Sequence, residues 1–138
     1  MAQTQWRWCR KCQGLFWGPA AGVCAAGGTH DGSASANYEL QDQAGDPGQH
    51  NWRWCHKCSG LFFSGNPTTG WCPAVGGHEH MPSSDYSLPD SGPSQSEWFW
   101  CHKCQGLFYG GNPSSGYCPS GGGHDHTGSD DYHLKIVT

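Results

Sequence analysis

The stretch Trp6-Arg7-Trp8-Cys9-Arg10-Lys11-Cys12-Gln13-Gly14-Leu15-Phe16-Trp17 decides the fold, because the chain carries it three times. It returns as 52–63 and again as 98–109, with Cys9, Cys55 and Cys101 each 46 residues apart. A second block follows each copy: Gly22-Val23-Cys24, then His30, Tyr38 and Leu40 in the first repeat. Its counterparts are Gly70-Trp71-Cys72, His78, Tyr86 and Leu88, then Gly116-Tyr117-Cys118, His124, Tyr132 and Leu134. A period of this length marks a repeat architecture in which no unit has a core of its own. The 138 residues divide as 1–46, 47–92 and 93–138 and are read as one domain of three repeats. Gly45-Asp46-Pro47-Gly48 and Pro89-Asp90-Ser91-Gly92-Pro93 read as the turns between them. Repeat one is two residues shorter between its blocks and lacks the Gly65-Asn66-Pro67 and Gly111-Asn112-Pro113 of the other two.

Local pattern points to an all-β chain. Trp6 and Trp8 alternate with other residues, which places both rings on one strand face. Leu15-Phe16-Trp17 and its copies are short aromatic strands between glycines, and Tyr38-Glu39-Leu40 alternates again. No 3.6-residue periodicity is present. The expectation is about four short strands per repeat, with a third strand through Val23, Trp71 and Tyr117. Trp8, Trp54, Trp100, Phe16, Phe62 and Phe108 are expected to be mostly buried.

Composition explains why such a chain needs help to fold. Leu, Ile, Val and Phe together number only 15 of 138, while there are 18 aromatic residues, 8 of them Trp, and 22 Gly. Rings can be buried, but an aliphatic core cannot be built, and small cores of this kind need disulfides or metal as staples. Nine Cys and nine His supply the material.

Each repeat contributes three Cys and one His in fixed places: Cys9, Cys12, Cys24, His30; Cys55, Cys58, Cys72, His78; Cys101, Cys104, Cys118, His124. The spacing is C-x2-C, then 11, 13 and 13 residues, a Cys, five residues, and His. Two thiolates on one tight turn and a Cys and an imidazole on a second arm suit closed tetrahedral zinc, three ions per chain. Disulfides fit poorly, since three Cys cannot pair within a repeat and nine cannot all pair within the chain. Lys11, Lys57 and Lys103 lie inside the C-x2-C turns, where they offset the negative charge of each site. His80 and His126 follow the ligand His by two, but repeat one has Gly32 there, so they are read as surface residues.

Catalysis is not expected. Four protein ligands leave a zinc ion no open position. His78-Glu79-His80 lacks the following C-x2-C of a zinc deaminase, and neither a nucleophile elbow nor a phosphate loop is present. No stretch approaches the ~20 apolar residues of a membrane span. The N-terminus shows no basic start or apolar run, so the expected location is the cytoplasm or a non-classical export route.

Six of the seven basic residues, Arg7, Arg10, Lys11, Arg53, Lys57 and Lys103, sit in or beside the knuckles, while the total charge is -4. Basic residues interleaved with Trp are the ingredients of a single-strand nucleic-acid site. Trp before C-x2-C also resembles the Ran-binding-protein type of zinc finger, which implies single-stranded RNA as partner. The resemblance covers about seven residues per repeat, and a His stands where that family has a second C-x2-C. At fold level, three copies of about 46 residues with short strands resemble β-trefoil lectins, which implies a closed threefold packing and one shallow glycan pocket per repeat. Three tandem zinc-ribbon beads are the alternative architecture. The lectin-like reading places ligand contacts on the variable ring positions, Trp71 and Tyr117, where repeat one has only Val23. It adds the carboxylates next to each ligand His: Asp31, Glu79 and Asp125. A glycan or polysaccharide is the expected partner, with nucleic acid as the alternative.

Overall fold

The computed structural model describes residues 2–137. Each repeat supplies a long first strand, a three-residue strand after the knuckle and a last strand of three to six residues: β1 (Ala2–Trp8), β2 (Leu15–Trp17) and β3 (Asn37–Gln41); β4 (Gln49–Trp54), β5 (Leu61–Phe63) and β6 (Tyr86–Leu88); β7 (Gln95–Trp100), β8 (Leu107–Tyr109) and β9 (Tyr132–Val137). The long strand pairs antiparallel with the short one across the knuckle, Trp6 opposite Trp17 and Trp8 opposite Leu15, with the same register in the other two repeats. It also pairs with the last strand of its own repeat. The last strands then join one another, β3 with β9 and β3 with β6, so all nine share one nearly closed, barrel-like sheet.

Three bridges outside the named strands link the repeats in a cycle. Phe16 meets Gly60, Phe62 meets Gly106, and Phe108 meets Gly14. Backbone hydrogen bonds follow the same cycle: Trp17 N–H to Ser59 O at 3.0 Å, Phe63 N–H to Gln105 O at 2.9 Å and Tyr109 N–H to Gln13 O at 2.9 Å.

The core takes the same four positions from every repeat. Trp6, Trp52 and Trp98 are fully buried and pack with Leu15, Leu61, Leu107, Tyr38, Tyr86, Tyr132, Leu40, Leu88 and Leu134 in one cluster. Each buried indole meets a tyrosine of another repeat edge-on: Trp6 with Tyr86, Trp52 with Tyr132 and Trp98 with Tyr38, at 5.2–5.3 Å between ring centres. Edge-to-face pairs add about 0.5–1.5 kcal/mol beyond burial of area.

One expectation is sharpened and one is corrected. The deeply buried indole of each pair is the first, not the second: Trp8, Trp54 and Trp100 are only half-buried at the edge of the core. A bulge precedes each pair. Register breaks between Gln3 and Trp6, and at the matching points of β4 and β7, where Gln5, Asn51 and Glu97 take φ of 71–75°. The bulge N–H of each donates to a side chain of the same repeat, Asn37, Asp85 or Asp131, at 2.6–2.7 Å. Beyond the bulge Trp6 and Trp8 keep an unbroken register with Trp17 and Leu15, so both face the same core, Trp6 at its centre and Trp8 at its rim. The strand expected through Val23, Trp71 and Tyr117 is not formed either, leaving three strands per repeat among the described residues. Its glycine docks on the next repeat instead. Gly22, Gly70 and Gly116 have φ of 65–72°, and a Cβ there would fall 2.0–2.2 Å from the carbonyl oxygen of Cys58, Cys104 or Cys12.

Candidate metal centres

The twelve Cys and His side chains come together as three clusters, each with its four candidate ligand atoms within 4.8 Å of one another: Cys9, Cys12, Cys24 and His30; Cys55, Cys58, Cys72 and His78; Cys101, Cys104, Cys118 and His124. All nine cysteines are buried and free. Two come from the knuckle turn after the long strand, where Cys9 N–H bonds to Gly14 O at 2.9 Å and Gln13 N–H to Cys9 O at 2.8 Å. The other pair comes from the second arm, closed by Cys24 N–H to Gly28 O at 2.8 Å. Cross-arm bonds complete the cage: Lys11 Nζ donates to Gly27 O at 2.7 Å, Lys57 to Val75 O at 2.7 Å and Lys103 to Gly121 O at 2.8 Å. The knuckle lysines thus bind the two arms together.

Sulfur–sulfur separations of 3.8–3.9 Å between Cys9 and Cys24, Cys55 and Cys72, and Cys101 and Cys118 are far beyond a disulfide bond. Sulfur to imidazole Nδ1 separations are 3.5–3.6 Å in the three clusters. With Zn–S of roughly 2.3 Å and Zn–N of roughly 2.0–2.1 Å, a tetrahedral ion would set these edges at about 3.8 and 3.6 Å. Each cluster could therefore hold one metal ion, with dimensions consistent with zinc.

The surroundings suit thiolates. Backbone N–H groups point at sulfur from Ala26 to Cys24, from Asp31 to Cys9, from Glu79 to Cys55 and from Asp125 to Cys101, each at 3.4 Å. Hydrogen bonding by Cys12, and next by Cys24, holds the Cys9 thiol far below its ordinary range. Cys12 is pushed the other way by Cys24, then Cys9, then burial. The same opposition holds between Cys55 and Cys58. Three sulfurs this close cannot all carry charge unless a cation sits among them.

The imidazoles are oriented from outside their own repeat. His30 Nε2 donates to Cys58 O at 2.9 Å, His78 Nε2 to Cys104 O at 3.1 Å and His124 Nε2 to Cys12 O at 3.1 Å. Donation from Nε2 leaves the Nδ1 lone pair for a metal, the usual role of an outer carbonyl. Phe16, Phe62 and Phe108 stack on the same imidazoles at 4.6–4.7 Å and 19–21°. These phenylalanines are buried as expected from their pattern.

The candidate ligand-facing residues separate into two groups. Trp71 and Tyr117 are 55% and 56% exposed. The Glu79 and Asp125 carboxylates turn to the knuckle histidines, His56 at 3.2 Å and His102 at 2.9 Å. Asp125 also accepts from the Thr127 hydroxyl and backbone N–H, which with His102 hold it below the usual carboxylate range. Asp31 accepts from Ser33 N–H at 3.0 Å. One recurring element escaped the pattern reading: Ser35, Ser83 and Ser129 each accept from the backbone N–H of the rim indole residue, Trp8, Trp54 or Trp100, at 2.7–2.8 Å. Its signal was the repeated Ser two residues before Asn or Asp and three before Tyr.

No family model matches the chain, and no curated protein and no solved structure matches it.

Proposed function

We propose that this protein is a zinc-stapled, non-enzymatic carbohydrate-binding module of β-trefoil-like design that holds neutral glycans or polysaccharide at several weak sites at once. The observation that carries this reading is how the side chains are used. Trp71 and Tyr117 stand exposed on arms anchored by a metal cluster and a docked glycine, whereas four of the six basic residues in or beside the knuckles already bond to backbone carbonyls of the fold. The three knuckle lysines hold carbonyls, and Arg7 donates to Ala36 O at 3.4 Å. Exposed rings on a rigid backbone cover an apolar sugar face at little entropic cost. Asp31, Glu79 and Asp125 lie beside the metal-anchored His and offer acceptors for sugar hydroxyls at the rim.

Zinc supplies structure in this reading, since three thiolates and one imidazole fill a tetrahedral shell and leave no position for water or substrate. The cyclic contacts between repeats support the trefoil-like arrangement over separate beads.

The test is retention on immobilised chitin, cellulose and dextran. The double variant Trp71→Ala, Tyr117→Ala is expected to lose retention while keeping its metal content and melting temperature. Retention should hardly change between low and high salt. Unaltered retention in the double variant would move the site elsewhere. Binding to single-stranded RNA that weakens steeply with salt and depends on Arg7 and Arg53 would replace the reading with the nucleic-acid one.

A further inference from the structure

The three junctions between repeats are built from equivalent positions, but one of them departs from the other two. The first is lined by Trp8, Ser35 and Tyr38 of repeat one and by Gln95, Tyr109 and Asn112 of repeat three, around a cavity of about 300 Å³. The second is lined by Trp100, Ser129 and Tyr132 of repeat three and by Gln49, Phe63 and Asn66 of repeat two, around about 230 Å³. Position for position the two sets correspond.

An amide hub fixes each cleft. Gln13 Oε1 accepts from Trp8 Nε1 at 3.2 Å and from Asn112 Nδ2 at 2.8 Å. Gln105 Oε1 accepts from Trp100 Nε1 at 3.1 Å and from Asn66 Nδ2 at 2.8 Å. The rim indole and the asparagine, which come from different repeats, are thereby held in a set relation. On the opposite wall a phenol is fixed as well, Tyr38 donating to Gln95 Oε1 at 2.7 Å and Tyr132 to Gln49 Oε1.

The third junction joins repeats two and one, and both halves of the hub are missing there. Ser59 replaces the glutamine and accepts from Trp54 Nε1 at 3.0 Å. The asparagine belongs to the Gly-Asn-Pro that repeat one lacks. In the register position of Tyr109 and Phe63 stands Trp17, whose ring meets Trp54 edge-on at 6.1 Å. Two separate departures from the repeat, one in each partner, thus meet at a single junction.

We propose that the Trp8–Asn112 and Trp100–Asn66 clefts are two matched binding sites for a neutral sugar ring, and that the third junction is closed by Trp17. This rests on the carbohydrate reading above and adds recessed sites distinct from the exposed rings of Trp71 and Tyr117. The first cleft has no charged residue in its lining, and the second has a single acid, Asp130, so neither favours a phosphate. An indole at one wall, an amide and a phenol at the others and a volume at the lower end of ligand pockets suit one hydroxyl-rich ring with an apolar face.

The experiment follows the indole N–H signals of 15N-labelled full-length protein by NMR. Glucose, galactose, mannose and N-acetylglucosamine are added to tens of millimolar, with adenosine and uridine alongside. At least one sugar is expected to shift the Trp8 and Trp100 signals and leave Trp54 in place. Asn112→Ala should weaken the response at Trp8 at least tenfold and spare Trp100. Asn66→Ala should do the reverse. Both variants should keep the metal content of the parent, and the mapping on the parent protein stands without them. Equal movement of Trp54 would overturn the inference. A sugar that moves only the Trp71 indole would overturn the clefts and leave the carbohydrate reading intact. A nucleoside that moves Trp8 and Trp100 when no sugar does would overturn the ligand class. If no sugar moves any indole, the clefts fail, and the polysaccharide columns then decide the carbohydrate reading separately.

Discussion

The aromatic layer and the metal layer hold the same three repeats together by different physics. Twelve buried side chains of the aromatic layer form one continuous cluster shared by all repeats. In the other layer each set of three cysteines packs with its own phenylalanine, Phe16, Phe62 or Phe108, as a separate cluster. Burial is non-directional, so a loss in the aromatic layer is spread over many neighbours. A tetrahedral shell has four members, so losing one removes a quarter of it. The shared layer should therefore yield gradually and the discrete layer abruptly.

The largest expected effect is removal of metal. A strong chelator at neutral pH should release about three ions per chain, read by elemental analysis, and should collapse the near-ultraviolet circular dichroism of the Trp layer as well. The scale is on the order of 10 kcal/mol per structural site. Survival of the aromatic signal after complete metal loss would show that the shared core is sufficient alone.

Next in size is an alkaline transition confined to the aromatic layer. Burial pushes the phenols of Tyr38, Tyr86 and Tyr132 up to about 12. An unfolded chain releases these protons near pH 10 while the folded one retains them. Their contribution is complete below pH 10 and is lost as pH rises from 10 towards 12. At pH 11 the three together amount to about 4 kcal/mol. Chemical denaturation at pH 9 and 11 measures it, and Tyr132→Phe should remove about a third of the loss. An equal loss in that variant would assign the transition to other groups.

The smallest effect sharpens the comparison from the metal side. Lys57→Met removes the bond across the two arms of one site but touches no ligand. Stability should drop by about 0.5–1 kcal/mol, as for an exposed hydrogen bond. Release of one ion in three to a chromogenic chelator should become several times faster. Three ions released at the parent rate would show that neither the bond nor the charge of Lys57 governs metal retention.

The metal layer was largely legible in the sequence, and much of the aromatic layer was not. Ligand spacing is a local property: Cys9 and Cys12 share a turn, and Cys24 and His30 share an arm, so recurrence alone grouped them. Depth is not local. Trp6 and Trp8 lie on one face of the strand, and the deeper of the two is the one that Tyr86 of another repeat meets, 80 residues along the chain from Trp6. The arm through Val23, Trp71 and Tyr117 has the composition of a strand. Its backbone lies against the next repeat's knuckle, where Val23 N–H reaches Cys58 O at 3.3 Å, rather than in a ladder. Gln13 and Asn112 are 99 residues apart, and nothing in either segment alone announces that they meet.

The bonds from His30 to Cys58, His78 to Cys104 and His124 to Cys12 have a consequence of their own. Each leaves one kind of surface and lands on a different kind, so every repeat presents both halves of a single joint. Between separate molecules such a joint would be heterologous, and heterologous joints make open filaments unless the rotation happens to close. Here the bonds run from repeat one to two, from two to three and from three back to one. On the closed arrangement proposed above, the chain is equivalent to three tethered subunits, with the turns at 45–48 and 89–93 acting as leashes. The leashes raise the effective concentration of one unit near the next and fix how many there are. The joint itself is complete without them.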